Sequence, residues 1–452
     1  MIIFDNSLLY TGINNCLDGK NSTMNIKINN IAKINSADIK IDGITVIAGE
    51  NNTGKSTIGK ALFAFYDGLY DVEQKILDDK FHAVERRIFN NLIHTQSSHS
   101  TILGTKINDF LLDEDDINDL CTRLLQIDTN RIDFEIELEN ILKESIKIEY
   151  QEGVDTNTWN TLKNSIIDII KVGPIDSLNQ IITSSYANEF NSQINNIYND
   201  TSGEIDITKN KRTTKLVVKK NKVFFMEQPL INIIEDIVYI DDPFVLDELD
   251  GRMGLRRHLH FNYNSQHRKN LVYQLKHQRS FNSIESILAE RKLDKILDTL
   301  NEVCPGEFKI GSNRYNYITD GKELNVKNLS AGLKTFALFK QLILNGTIGQ
   351  NSIVILDEPE IHLHPEWQLI LAKLIVLLQI EFDLHILLTT HSPYFLNAIE
   401  VFSARYHIAN KCNYYLAQVD YQGVKFIDVT RAVDKIYAKL AKPLQELEDM
   451  RY

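Results

Sequence analysis

The sequence predicts an α/β fold: a mostly parallel sheet joined to an antiparallel β-subdomain and interrupted by a large, mainly helical insertion. Three observations predict it. Apolar runs of strand length at 44–48, 352–356 and 384–390 each end in polar residues, as buried parallel strands do where they open into a ligand crevice. Ahead of the first run, 24–31 and 37–41 alternate apolar and polar residues with period two, the mark of half-exposed strands. Between the first and second runs, Leu69, Val72, Ile76, Val84, Ile88 and Leu92 recur mostly at helical three- and four-residue spacing. No heptad pattern is sustained, so this stripe reads as internal helix packing rather than a long coiled coil.

The first run leads into Gly49-Glu50-Asn51-Asn52-Thr53-Gly54-Lys55-Ser56-Thr57, and a helix-like stretch follows from Ile58 to Tyr66. This is G-x-x-x-x-G-K-[ST] with a strand before it and a helix after it. A helix N-terminus carries unpaired N–H groups and about half a positive charge, so anions settle there. Gly49 and Gly54 let the backbone curl so that the N–H groups of Asn51, Asn52, Thr53 and their neighbours through Thr57 face a phosphate. Lys55 would reach the β- and γ-phosphates, and the Ser56 hydroxyl would ligate Mg²⁺. A plain Gly-rich turn would tolerate many residues where this chain has Lys-Ser.

The bulk properties agree with a folded nucleotide-binding protein. At 452 residues the chain exceeds what one core usually organises. Its expected division is 1–66 with the P-loop, 67–235 as the insertion, and 236–452 as the second part of the nucleotide-binding head. The formal net charge of −12 argues against a surface that coats nucleic acid throughout. Cys16, Cys121, Cys304 and Cys412 stand far apart, which excludes a C-x-x-C zinc site and reads as reduced thiols. The opening Met1-Ile2-Ile3-Phe4-Asp5 lacks a basic n-region, and the apolar stretch Leu369 to Leu388 is broken by Lys373, Glu381, Asp383 and His385. The expectation is a soluble, cytoplasmic protein.

Two basic stretches allow a contact with nucleic acid. The first, 209–222, holds Lys209, Lys211, Arg212, Lys215, Lys219, Lys220 and Lys222 around a predicted hairpin. It reads either as lysines guarding an exposed edge or as a phosphate-backbone contact. The second, 252–269, holds Arg252, Arg256, Arg257, His258, His260, His267, Arg268 and Lys269, and nothing in the sequence decides its partner. An amphipathic helix is expected over 281–300, short antiparallel strands over 307–326, and a strand or two with a charged helix after residue 415.

Three downstream motifs follow in a telling order. In Asn328-Leu329-Ser330-Ala331-Gly332-Leu333-Lys334, Ser330 is a natural N-cap and Gly332 permits close approach to a phosphate. The run Ser352-Ile353-Val354-Ile355-Leu356 ends in Asp357-Glu358-Pro359, placing Asp357 to hold Mg²⁺ largely through water and Glu358 to polarise an attacking water. The last run ends in Thr389-Thr390-His391-Ser392, where His391 can hydrogen-bond a γ-phosphate or that water.

In this order the motifs resemble the ABC-type ATPase superfamily, in its OLD-like and RecF/SMC-like branch. Glu358-Pro359-Glu360-Ile361-His362-Leu363-His364-Pro365 is similar to the E-P-E-x-x-L-H-P stretch of OLD-like ATPases, and Thr390-His391-Ser392-Pro393 to their T-H-S-P. The resemblance covers residues 24–66 and about 327–397, and none of the insertion. Ala331 and Leu333 depart from the common signature, where many ABC proteins carry Gly and Gln. A Q-loop glutamine is not placed; Gln74 and Gln96 are its candidates.

The resemblance implies an ABC-type ATPase head that binds ATP with Mg²⁺ and hydrolyses it. It implies a homodimer or larger assembly, heads paired head to tail, with Ser330 and Gly332 acting on the partner's nucleotide. Many OLD proteins carry a TOPRIM nuclease, but the tail after His391 holds no Asp-x-Asp. The chain is thus similar to stand-alone ATPase subunits of anti-phage systems, such as the PtuA proteins of Septu and retron systems, which work with an HNH nuclease, and the ATPase of PARIS-type systems. The implied partner is a separate effector such as an HNH or TOPRIM nuclease. A RecF/SMC-like DNA-repair ATPase and a nucleotide-gated scaffold with little turnover are the alternatives.

Overall fold

Strands β1 (Met24–Ile31), β2 (Ile34–Ile41) and β3 (Ile44–Ala48) form where the alternating and continuous apolar runs predict them. In this computed structural model the described residues are 23–97, 114–145, 156–227, 233, 236–249, 266–278, 294–310 and 315–451. They divide into two units, 71–180 in one and 22–70 with 181–452 in the other.

The larger unit is built on one sheet. It continues through β4 (Gly203–Lys209), β5 (Arg212–Lys219), β6 (Lys222–Phe225), β7 (Ile237–Ile240), β11 (Ile353–Asp357), β12 (His385–Thr390), β13 (Cys412–Asp420) and β14 (Gly423–Asp428), with a small second sheet of β8 (Glu307–Ile310), β9 (Tyr315–Thr319) and β10 (Lys322–Asn325). The order across the main sheet is β6-β5-β4-β1-β2-β14-β13-β3-β12-β11-β7. From β13 to β7 every neighbour is parallel; from β6 to β2 every neighbour is antiparallel. Strand β14 joins the halves, antiparallel to β13 and parallel to β2. This is the α/β head expected, a parallel core with an antiparallel β-subdomain.

The side-chain patterns explain the two halves. Every residue of β3, β7 and β12 is buried, as strands covered on both faces must be. Strands β1 and β5 bury alternate residues and leave the others half-exposed or exposed, so one face meets solvent. Helices Ala331–Leu344 and Pro365–Phe382 supply the core with residues such as Phe336, Phe339, Leu371 and Ile375. Burying each such side chain contributes about 1.5–3 kcal/mol. The broken apolar stretch from Leu369 accordingly splits into a buried helix and the buried strand β12, and among the described residues no helix is long and apolar enough to cross a membrane.

The expected insertion boundary at 235 is corrected by the pairing of β4. Strands β4, β5 and β6 extend the antiparallel half of the head's sheet, β4 pairing β1 from Met24↔Lys209 to Asn29↔Glu204. The separate unit therefore stops at residue 180. Two-residue turns at Asn210-Lys211 and Lys220-Asn221, all with φ between 49° and 66°, match the twist of tight hairpins. Strand β6 is a sheet edge, and Lys219, Lys220 and Lys222 stand exposed there.

The 71–180 unit packs its own small core. Val84 and Ile88 from helix Val72–Ser97 meet Leu120 and Leu124 from Glu114–Leu125, Leu138 and Leu142 from Phe134–Ser145, and Ile166 from Thr156–Ile170. Of the periodic stripe, Val84 and Ile88 pack in this core, whereas Leu69 ends helix Lys55–Leu69 in the larger unit. Both Q-loop candidates fall here: Gln74 hydrogen-bonds Asp78, and Gln96 lies on the same Val72–Ser97 helix.

Candidate functional site

Three parallel neighbours, β3, β12 and β11, end side by side and build the site. Strand β3 passes into the 49–54 loop, which turns through two left-handed residues, Asn52 (φ 64°) and Gly54 (φ 73°), into helix Lys55–Leu69. Gly49 is required by a close approach: a Cβ there would lie 2.9 Å from Ala417 Cβ on β13. Thr53 is buried and its hydroxyl donates to Glu50 O at 2.8 Å, closing the turn. The loop is also braced from the tail, where Lys439 Nζ on helix Asp434–Asp449 lies 2.9 Å from Glu50 Oε1.

Lys55 is 5% exposed and curls back over the loop, donating to Gly49 O at 3.1 Å and Glu50 O at 2.9 Å. Its Nζ also lies 3.3 Å from Glu358 Oε1. The other oxygen of Glu358, Oε2, lies 3.3 Å from His391 Nδ1. Glu358 adopts a left-handed backbone (φ 50°), and its N–H is held at 3.1 Å by both Thr389 O and Thr389 Oγ1. A non-Gly residue in that region at a strand end is costly and is typical of functional sites.

Asp357 is held by two hydroxyls. Thr389 Oγ1 donates to its Oδ1, and Tyr239 Oη donates to its Oδ2 at 3.2 Å. The same Tyr239 hydroxyl stands 3.5 Å from Ser56 O. That contact is to the Ser56 backbone carbonyl, so one phenol lies beside both residues expected to hold Mg²⁺, whose hydroxyl and carboxylate are the hard oxygens that Mg²⁺ takes. Bound there, Mg²⁺ would neutralise phosphate charge. Burial first, then the charges of Asp357 and Asp241, pushes the Tyr239 phenol well above its usual range, so it remains a donor.

Sequence reasoning did not find the support beneath Tyr239. Its ring stacks on His267 with centroids 4.3 Å apart and planes at 22°. His267 is buried and clamped between carboxylates, Nδ1 2.6 Å from Glu189 Oε2 and Nε2 3.1 Å from Asp241 Oδ2. Burial opposes the imidazolium, but the hydrogen bonds and charges of Asp241 and Glu189 outweigh it and raise its pKa to about 9. Arg268 continues the network to Asp241, Asp242 and Glu248 at 3.3, 2.7 and 3.5 Å. These two members of the expected second basic patch are therefore structural; Arg252, Arg256, Arg257, His258 and His260 lie outside the described residues. A second missed group is Glu360, 2% exposed, which accepts from Thr390 Oγ1 and whose carboxyl is pushed up by burial.

An open cavity of about 440 Å³ lies against the loop, lined by residues 52–57, Lys33, Lys60, Glu358 and the segment around Phe190 to Ile197. Ser330 and Gly332 do not line it. Ser330 caps helix Ala331–Leu344, accepting from Leu333 N at 3.4 Å. Gly332 is buried, and a Cβ there would lie 2.9 Å from the Trp367 ring, so packing alone explains that glycine. Strand β7, beside β11, ends in Ile240-Asp241-Asp242 and offers no glutamine. Cys121, Cys304 and Cys412 are buried free thiols, raised by burial.

Residues 44–397 match the family model described as "AAA domain, putative AbiEii toxin, Type IV TA system". Among solved structures the chain is similar to an SmcHead bound to the C-winged helix domain of ScpA (TM-score 0.41, 11% identity, 91% of this chain and 98% of that one). It is also similar to the SMC head domain from Thermotoga maritima (0.37, 9%, 91% and 99%). A third likeness is to an Smc head with an extended coiled coil bound to a ScpA domain derived from Pyrococcus furiosus (0.38, 10%, 95% and 99%).

Proposed function

The chain belongs to this AAA-domain family, and on that premise we propose that it hydrolyses ATP with Mg²⁺ in an assembly whose nucleotide state controls a separate effector protein. One observation carries the reading: the Glu358 carboxylate stands 3.3 Å from Lys55 Nζ and 3.3 Å from His391 Nδ1, at the mouths of adjacent strands. Those are the groups needed to hold a γ-phosphate and activate a water beside it. Lys55 would exchange its carbonyl partners for β- and γ-phosphate oxygens. Glu358, freed from Lys55, would accept the proton of the attacking water, and His391 would hold the γ-phosphate side. Asp357 and Ser56 would hold the metal, with Tyr239 and Thr389 fixing the Asp357 carboxylate.

Assembly is supported by where the signature falls. Ser330 caps its helix with the side chain exposed, away from the chain's own P-loop cavity, as a group serving a second copy would be. The effector is proposed to be a nuclease of the HNH or TOPRIM kind in bacterial anti-phage defence. The family's description as a toxin of a type IV toxin–antitoxin system supports a role beside another gene product.

Mixing tests the composite site. Lys55→Ala and Ser330→Arg should each lack turnover alone, and mixing them should restore it, because one hybrid site keeps Lys55 from one copy and Ser330 from the other. No restoration, with both variants folded, contradicts head-to-tail sharing. A co-purifying nuclease whose cutting is unaltered by Glu358→Gln contradicts effector control. ATP-dependent affinity for gapped DNA without a nuclease would favour repair.

A further inference from the structure

The phosphate cradle accounts for only part of the cavity lining. The chain that returns from helix Pro174–Phe190 also lines it, through Phe190, Asn191, Gln193 and Ile197. Asn191 and Ser192, at φ 49° and 63°, end that helix and turn the chain along the β1–β2 connection.

This segment is unusually well held for a surface loop. Ala32 N donates to Ile194 O at 3.0 Å, and Ile197 N to Ala32 O at 2.9 Å. Asn221 Oδ1 accepts from Ile194 N and Asn195 N at 2.8 and 2.9 Å, and Asn195 Oδ1 in turn accepts from Asn221 N. Asn196 is buried, donating to Ile34 O at 3.1 Å while its Oδ1 accepts from Tyr198 N at 2.8 Å. Ile194 is fully buried beneath. On this fixed strip the Ile197 side chain is nevertheless 55% exposed, and Asn191 and Gln193 are exposed beside it. A rigid backbone that presents an aliphatic side chain and two amides to a cavity is a preorganised ligand wall.

The rest of the cavity says what the ligand is. Lys55, Lys33 and Lys60 line the phosphate side, and Lys33 Nζ donates to Asn52 Oδ1 on the loop. A phosphate chain seated on residues 52–57 carries its sugar and base away from the loop, and the 190–197 part of the lining supplies what a base needs: an apolar surface for its face and amides for its edge. We propose that the 190–197 segment is the nucleobase subsite, with Ile197 under the base and Asn191 or Gln193 reading its edge. This rests on the nucleotide reading above and extends it, because it makes the segment returning from the 71–180 unit a part of the nucleotide site.

The test compares ATP with inorganic tripolyphosphate, which keeps the phosphates and lacks the base. Binding of each to the full-length chain is measured by calorimetry for wild type, Ile197→Asp and Gln193→Ala, with melting temperature as the check on folding. Ile197→Asp should weaken ATP about tenfold, the consequence of placing a carboxylate under an apolar face, and leave tripolyphosphate within about twofold. Gln193→Ala should shift ATP alone, by a smaller factor. If both ligands weaken equally, or neither changes, the segment does not touch the base and the proposal is overturned. If wild-type protein binds neither ligand, the nucleotide reading itself has failed, and this result is distinct from the others.

Discussion

Lys55 and Glu358 come within 3.3 Å of each other although they start from strands separated by β12, so the proposed phosphate-binding lysine stands against the proposed water-activating carboxylate. On the proposed reading, a triphosphate seated on the loop would take Lys55 from Glu358 and so free the base, joining binding to activation in one exchange of partners.

Replacing Lys55 removes the only side-chain cation that reaches into the loop's carbonyls among the described residues. Lys55→Ala should weaken ATP by about 100-fold or more, the worth of a lost charge-assisted hydrogen bond set. Equilibrium binding with a fluorescent ATP analogue measures it. Retained tight binding would remove the P-loop assignment.

Tyr239 would act on a bound Mg²⁺ through Asp357, to which its hydroxyl donates, rather than by touching it. In Tyr239→Phe the ring still stacks on His267, but Asp357 Oδ2 loses its donor. The Mg²⁺ concentration for half-maximal turnover should rise about tenfold, with saturated turnover changed far less. A variant that loses turnover at every Mg²⁺ concentration would assign Tyr239 a different task.

The Gly332 packing predicts a stability effect independent of catalysis. A methyl group at this position meets the half-buried Trp367 ring, itself edge-on at 5.7 Å to the fully buried Phe336. Gly332→Ala should destabilise by about 1–3 kcal/mol and lower the melting temperature by several degrees. An unchanged melting curve would mean that the helix shifts freely.

His267 gives the head a pH limit on the alkaline side. Its folded pKa of about 9 stands above the ordinary 6.5, so its contribution is complete below about 6.5 and is lost as pH rises to about 9. The facing groups are Glu189, Asp241 and the Tyr239 ring, and the loss is roughly 3 kcal/mol. Urea unfolding of wild type against His267→Gln should show a stability gap at pH 6.5 that shrinks by pH 9.5. A gap that is constant with pH would mean that His267 is neutral throughout.

Strands and site motifs were legible in the chain wherever period and punctuation coincide. The Ile44–Ala48 strand, the Lys55 helix and the strands before Asp357 and His391 all carry continuous apolar runs bounded by turn residues. What could not be read was long-range pairing. Nothing local tells that Gly203–Lys209 lies beside Met24–Ile31, or that Cys412–Asp420 inserts between β3 and β14, because register is set by partners far away in sequence. The same limit hid the brace at the metal site. In the sequence Tyr239 stands within the apolar Ile237-Val238-Tyr239-Ile240 and His267 is one cation in a basic stretch; only the fold stacks one on the other.

Steady-state phosphate release from Glu358→Gln decides whether Glu358 activates the water that cleaves ATP. Turnover should fall by about 100-fold or more, with ATP affinity within a few-fold of wild type, since Lys55 and the loop residues are all retained. Turnover equal to wild type would contradict it.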